Sequence, residues 1–95
     1  MNAPTLILQV DGNDAAKAFI SFWDGSVVVH IVYPNEGEIR FIYPEDRVVA
    51  EVEGFLKWKH EDKGQKVAWR KSKPAEARDY EKKFRAILKK LGAGA

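Results

Sequence analysis

The dipeptide Asp24-Gly25 constrains the fold of this chain more than any other feature. It lies between apolar runs at residues 18–22 and 27–32, and both of its positions tolerate a positive φ, as a two-residue hairpin loop requires. A second turn signal, Pro-Asn-Glu-Gly, favours a three-residue loop at 35–37 that ends in glycine. Residues 16–43 are therefore predicted to form three antiparallel strands.

These two loops also predict the register of the strands. The first pairs Phe22 with Val27, and the second pairs Tyr33 with Ile39. Because side chains alternate along a strand, this register gives the sheet one apolar face. The opposite side, called the second face below, mixes aromatic, apolar, hydroxyl and basic side chains: Lys17, Phe19, Ser21, Trp23, Val28, His30, Val32, Arg40 and Ile42. Such a mixture suits neither a buried face nor a merely solvated one, so we interpret it as a binding surface.

The residues before this stretch predict a fourth strand. Residues 5–10 are a short apolar run, and the turn cluster at 11–14 indicates a hairpin into residues 16–23. The alternative for 16–23 is a helix capped by Asp14, because its apolar residues also fit helical spacing.

The residues after it predict helices. Residues 45–59 begin with acidic and end with basic side chains around an apolar stripe, which favours a helix, with a strand as the alternative for 51–59. Residues 66–71 are predicted to be a short extended segment. A second helix is predicted at 75–91, with Pro74 in its first turn and Gly92 as its stop.

Together these elements predict one α+β domain spanning residues 1–95. Its core is an antiparallel β-meander of three to four strands, with two helices packed on one face. The ends, at residues 1–4 and 92–95, are predicted to be disordered.

Composition argues against several functional classes. The chain has no cysteine, so it offers neither a disulfide framework nor a thiolate metal site. It has no basic leader and no apolar run near the roughly 18 residues of a membrane span, so we expect a cytoplasmic protein without membrane contact. The two histidines fall in different elements and no serine lies in a nucleophile motif, so we expect neither an enzyme nor a cofactor or metal ion.

The net charge of +2 hides a strong asymmetry. Residues 1–56 hold three basic and nine acidic side chains, a balance of −6, whereas residues 57–95 hold thirteen and five, a balance of +8. This favours either an anionic partner for the second part or pairing between the halves, within or between subunits. Together with the second face, it predicts a homo-oligomer, a dimer or a tetramer.

The most informative segments for function are 57–60, Lys-Trp-Lys-His, and 66–73, Lys-Val-Ala-Trp-Arg-Lys-Ser-Lys. Aromatic residues interleaved with basic ones are typical of proteins that bind single-stranded nucleic acid, because bases stack on rings while cations follow the phosphates. The candidate stacking residues are Trp23, Trp58 and Trp69, and the candidate phosphate contacts are Lys57, Lys59, Arg70, Lys71 and Lys73. Lys17 and Arg40, with Phe19 and His30 between them, extend the predicted path across the sheet.

The alternative interpretation assigns the tryptophans to the core or to an interface, with lysines keeping the rim soluble. The protein would then be an oligomeric protein–protein interaction module with no role in nucleic-acid binding.

The chain is small, free of cysteine and rich in Lys and Glu, and it is predicted to form four short antiparallel strands with accompanying helices. It also contains the basic-aromatic segments Trp58-Lys59 and Trp69-Arg70-Lys71. In this general character, over residues 5–91, the chain resembles the ThermoDBP-related archaeal single-stranded DNA-binding proteins. The resemblance implies a non-OB fold, a thermophilic archaeal origin, self-association, and single-stranded DNA, or RNA, as the partner.

Overall fold

The computed structural model of the protein describes residues 6–71. They form five strands, one α-helix and a short 3-10 helix: β1 (Leu6–Val10), β2 (Asn13–Trp23), β3 (Ser26–Tyr33), β4 (Gly37–Tyr43), α1 (Glu45–Lys59), the 3-10 helix (Glu61–Lys63) and β5 (Val67–Lys71). The predicted helix at 75–91, the predicted disordered ends and the candidate Lys73 lie outside the described residues.

The hairpin of β2 and β3 forms as the sequence predicts. Asp24 and Gly25 have φ values of 50° and 77°, so both loop residues take the left-handed conformation that this turn requires. Phe22 pairs with Val27 and Ala18 pairs with Ile31. The strand interpretation of residues 16–23 is confirmed, and the alternative helix is wrong.

The second hairpin is displaced by two residues from the prediction. Tyr33 pairs with Gly37, not with Ile39, so the loop contains residues 34–36. The Glu36 backbone N–H donates to the Tyr33 carbonyl at 3.1 Å, and Asn35 has a φ of 70°. Pro34 and Asn35 thus form the two central turn positions, which closes the turn early and moves Gly37 into β4.

Both faces keep the composition that the sequence predicts, because a shift of two residues preserves the side on which each side chain lies. The apolar face is buried and forms the core with one side of α1: Leu6, Leu8, Ala16, Ala18, Ile20, Val27, Val29, Ile31, Tyr33, Phe41, Val48, Val52 and Leu56. Hydrophobic burial on this one face is the main driving force for folding of the sheet.

The predicted fold class is wrong, because the described part of the chain is mostly sheet. The five strands are all antiparallel, in the order β4-β3-β2-β1-β5, and residues 6–71 contain one α-helix instead of two packed on a meander. The extended segment at 66–71 makes the difference. Its strand, β5, pairs along the whole of β1, from Leu6 with Lys71 to Val10 with Val67.

Helix α1 confirms the prediction for residues 45–59. The Pro44 carbonyl accepts the first helical hydrogen bonds, and Glu45 and Asp46 in the first turn suit the positive end of the helix dipole. Val48, Val52 and Leu56 form the buried stripe, which packs on β3 and β4. No helix within residues 6–71 has the length and apolar character needed to cross a membrane.

A buried polar chain holds the end of α1 against the sheet. The Tyr33 hydroxyl lies 2.9 Å from His60 Nε2, and His60 Nδ1 lies 2.9 Å from Gln65 Oε1. Burial raises the pKa of Tyr33 to about 12, so its hydroxyl stays protonated and donates to Nε2 while Nδ1 donates to Gln65. His60, a histidine beside a basic segment, is therefore a satisfied structural residue.

Candidate nucleic-acid interface

Eleven of the twelve candidate binding residues lie within residues 6–71, and they fall in three separate places. The end of α1 carries Lys57, Trp58 and Lys59; strand β5 carries Trp69, Arg70 and Lys71; the second face carries Lys17, Phe19, Trp23, His30 and Arg40.

At the end of α1, the cations are already paired. Lys57 Nζ donates to Asp62 Oδ1 at 2.9 Å, and this hydrogen bond raises the pKa of Lys57. Lys59 Nζ donates to Glu36 Oε1 at 3.2 Å and lies 4.8 Å from the centre of the Tyr33 ring. Trp58 is 69% exposed, with its ring 6.1 Å from that of Phe55. Of these three described residues, Trp58 offers an open ring, while both lysines are already paired with carboxylates.

On β5, the two candidates of the Trp69-Arg70 pair point to opposite sides of the sheet. Trp69 is half-buried and packs against the core, beside Leu8. Arg70 donates two hydrogen bonds to Asp14, from Nε to Oδ1 at 3.1 Å and from Nη2 to Oδ2 at 2.7 Å. Trp69 thus matches the alternative reading of a tryptophan packed in the core.

The pairing of Arg70 with Asp14 gives a direct test of how β5 is held. The hydrogen bond from Arg70 lowers the pKa of Asp14 from its ordinary 3.8 to about 2. Because the folded-state pKa is lowered, the stabilisation is complete above about pH 4 and is lost as the pH falls towards 2. We expect an NMR titration of the Asp14 carboxyl to give a midpoint near 2 in the native chain and a higher midpoint in Arg70→Gln, where the hydrogen bond from Gln9 remains. A native midpoint at the ordinary value would show that the pair does not form in solution.

Trp58 and Trp69 do not form one strip. Helix α1 lies over β3 and β4, whereas β5 is the opposite edge of the sheet, three strand spacings or about 14 Å from β3. Trp23 is further removed, since it lies on the other side of the sheet from α1. Residues 6–71 therefore do not form the single path over all three tryptophans that the basic segments suggest.

The second face, in contrast, does bring its candidates together. Register places Phe19 beside His30 and His30 beside Arg40, in a row across β2, β3 and β4. The Phe19 and His30 rings are 6.1 Å apart and tilted by 43°. Trp23, on the same side of β2 and 65% exposed, is about 13 Å from Phe19 along the strand. Lys17 precedes Phe19 by two residues and completes a line of three exposed or half-exposed side chains.

The basic side chains of this surface differ in whether a carboxylate lies beside them. Lys17 is exposed and has no carboxylate partner within residues 6–71. Arg40 Nη2 is 3.9 Å from Glu38 Oε1, an exposed and weak pairing. His30 Nε2 is 3.2 Å from the same oxygen, yet the approach is too oblique for a hydrogen bond, and this nitrogen is shielded from solvent. Lys17 and Arg40 are therefore the cations of this row that a phosphate could reach.

Two residues join this surface that sequence reasoning did not place on it. Glu38 lies on the second face of β4, beside the predicted Arg40 and Ile42, and its alternation with them was the signal for it. Ile7 is buried on this side of β1, with Lys17 and Arg70 as its register neighbours. The side on which Ile7 lies follows from the register of β1 with β2, whereas its contact with Arg70 depends on the pairing of β5 with β1, which no local signal in the sequence indicates.

The net charge of the described residues is slightly negative. Residues 6–71 hold nine Lys and Arg against eleven Asp and Glu, a balance of −2, while residues 72–95 hold seven against three, a balance of +4. The net charge of residues 6–71 therefore does not attract an anion, and an anion on the second face would depend on individual side chains such as Lys17 and Arg40.

No protein family matches this sequence, and it has no match among curated proteins or among solved structures. The resemblance to the ThermoDBP-related proteins, with the archaeal and thermophilic origin that it implies, stays a prediction.

Proposed function

We propose that the protein binds single-stranded nucleic acid, DNA in the first place and RNA as the alternative, on the second face of its sheet. The main support is the group formed by the half-buried Phe19 and His30 rings and the exposed Trp23, with Lys17 and Arg40 nearby. Helix α1 lies on the opposite side of the sheet, over β3 and β4, and therefore does not contact this group.

The chemistry of this surface suits unpaired bases. A sheet that exposes aromatic rings lets successive bases stack on it, and stacking is tolerant of sequence because every base has a π face. In duplex DNA the faces of the bases are already stacked on one another, so the rings gain nothing from it. We therefore expect weak sequence preference and a preference for single strands.

The phosphate contacts in this proposal come from Lys17 and Arg40, which stand on either side of the Phe19–His30 pair. Each neutralised phosphate of a single strand contributes about −0.7 to the slope of log K against log salt concentration, so two contacts predict a slope of about −1.4. We expect Lys17→Ala to halve this slope to about −0.7, measured by oligonucleotide titration at several salt concentrations.

A matched control for that variant is Lys63→Ala, which removes an exposed lysine of the 3-10 helix away from the second face. It should leave the slope unchanged. Equal effects of the two substitutions would indicate diffuse attraction to the whole protein instead of contacts on this surface.

A protein–protein interaction module is the second candidate function, and the exposed Ile42 beside half-buried Val28 favours it. Exposed apolar side chains that lie next to one another can mark a surface that contacts a protein. Under this function, aromatic and apolar residues of the second face would meet a protein, without nucleic acid.

Titration of oligo-dT into the protein, followed by tryptophan fluorescence, separates the two candidates. Nucleic-acid binding predicts saturable quenching that is weaker for a duplex of equal length and declines log-linearly with rising salt. Absence of any response at low salt would reject the nucleic-acid proposal and favour the interaction module. Equal affinity for duplex would instead identify a general binder of polyanions.

A further inference from the structure

The outer edge of β4 is free among the described strands, because β4 is the last strand of the sheet and pairs with β3 alone. Backbone directions on this edge follow from the first hairpin. A two-residue loop closes on a hydrogen-bonded pair, here Trp23 with Ser26, and hydrogen-bonded pairs then alternate along the ladder. Residues 27, 29, 31 and 33 of β3 therefore bond to β4, and Glu38, Arg40 and Ile42 direct their N–H and C=O groups outwards.

The charges on this edge are self-complementary in one register only. When two copies of β4 run antiparallel with Ile39 opposite Ile39, Glu38 of each copy faces Arg40 of the other. A slip of two residues one way sets Arg40 against Arg40, and a slip the other way sets Glu38 against Glu38. Opposite charges directly across a ladder stabilise it and like charges destabilise it, so the side chains select the first register.

The same pairing would also bury Trp58, the exposed tryptophan of α1. Arg47, Glu51, Phe55 and Trp58 follow each other at helical spacing and form one side of α1. This side lies over β4, since Arg47 lies 5.5 Å from the centre of the Tyr43 ring and the Phe55 ring is 5.5 Å from that of Phe41. It therefore faces the free edge.

Across that edge, two copies would place their helices side by side. The two-fold axis of an antiparallel pair stands perpendicular to the sheet, so both α1 helices lie on one side of it. With each helix above β3 and β4, their axes come to about 10 Å, the distance of ordinary helix packing. Trp58, 69% exposed in the single chain, would then lie between the two helices.

We propose that the protein forms a two-fold symmetric dimer through antiparallel pairing of β4 with β4, centred on Ile39. The result is a continuous ten-stranded sheet, with both second faces on one side and both α1 helices on the other. Backbone hydrogen bonds of residues 38 and 40, the two Glu38–Arg40 pairs and the helix contact around Trp58 hold it. The argument for this dimer does not use nucleic-acid binding, although Arg40 takes part in both proposals.

Charge reversal tests the register. In Glu38→Arg, and separately in Arg40→Glu, both symmetric pairs become repulsive, and we expect the dimer dissociation constant to rise by about tenfold or more in sedimentation or light scattering. The double exchange E38R/R40E should restore the native value, and an equimolar mixture of the two single variants should form heterodimers in preference to either homodimer. A native chain that stays at 10.8 kDa at micromolar concentration, or single variants that dimerise as tightly as the native chain, would overturn the proposal.

A crosslink tests the geometry without changing the charges. Residues 39 of the two copies would form a non-hydrogen-bonded pair with Cα atoms about 4.5 Å apart, within the range of a disulfide. The chain has no cysteine, so Ile39→Cys should give a disulfide-linked dimer under mild oxidation, whereas Glu53→Cys, on the exposed side of α1, should stay largely monomeric. Equal crosslinking of both variants would indicate random collision and reject the β4 interface.

Discussion

Replacing Ile31 by alanine is expected to lower the free energy of unfolding by about 2–5 kcal/mol. Ile31 is fully buried on the apolar face of β3, the strand that the β2–β3 and β3–β4 hairpins share. Its cross-strand neighbours, Ala18 and Ile39, are hydrogen-bonded into the ladders on either side of β3. They therefore have little freedom to move into the cavity that the substitution would leave. A loss of this size is a large part of the total stability of a small domain and should be plain in urea unfolding followed by circular dichroism.

Two further variants make this prediction specific to the face. Ile31→Val removes a single methylene and should cost about 0.5–1.5 kcal/mol. Val32→Ala, the next residue on the same strand but on the second face, should cost clearly less than Ile31→Ala because Val32 is only half-buried. Similar losses for Ile31→Ala and Val32→Ala would mean that both faces are equally covered in solution, which would also remove the open surface needed for binding.

The parts of the fold that could be predicted from sequence are those that local chemistry determines. Asp24 and Gly25 accept the left-handed conformation that a two-residue loop demands, and that loop alone sets the register of β2 and β3. The second hairpin shows the limit of this reasoning. Pro34-Asn35 and Gly37 offer competing turn positions, and Asn35 takes the left-handed conformation at which the turn closes.

The division of the sheet into faces was more robust than its register. An error of two residues leaves every side chain on its own side, so the buried core and the second face were both identified although the pairing of β4 was not. Only an odd slip would have exchanged them. This is why the candidate site on the sheet survives the correction to its hairpin.

Contacts between distant segments could not be predicted in the same way. The pairing of β5 with β1 joins residues about sixty positions apart, and nothing in the alternation of residues 66–71 specifies the partner strand. The error in fold class follows from that pairing. The scattering of the binding candidates has a different, local cause: Trp69 and Arg70 are adjacent in sequence, and alternation along β5 puts them on opposite sides of the sheet.

A combined substitution of Phe19 and Trp23 by alanine is expected to have the largest effect on nucleic-acid binding. Stacking contributes about 1–3 kcal/mol per base, so two rings predict a loss of about 2–6 kcal/mol, or at least thirtyfold in the dissociation constant for oligo-dT. The two positions are about 13 Å apart along β2 and have different cross-strand partners, His30 and Ser26, so their contributions should add. Fluorescence anisotropy of a labelled oligonucleotide measures this without relying on Trp23 itself.

Two matched double variants identify the physical cause of that loss. F19Y/W23F keeps both aromatic faces and should bind within a few-fold of the native chain, whereas F19L/W23L keeps apolar bulk without π faces and should lose most of the affinity. Since both residues lie on the second face, outside the core, all three variants should retain the strand content of the native chain by circular dichroism. A folded F19A/W23A protein that binds oligo-dT as tightly as the native chain would place the nucleic-acid site elsewhere. If F19L/W23L bound as tightly as the native chain, apolar contact and not stacking would account for the affinity.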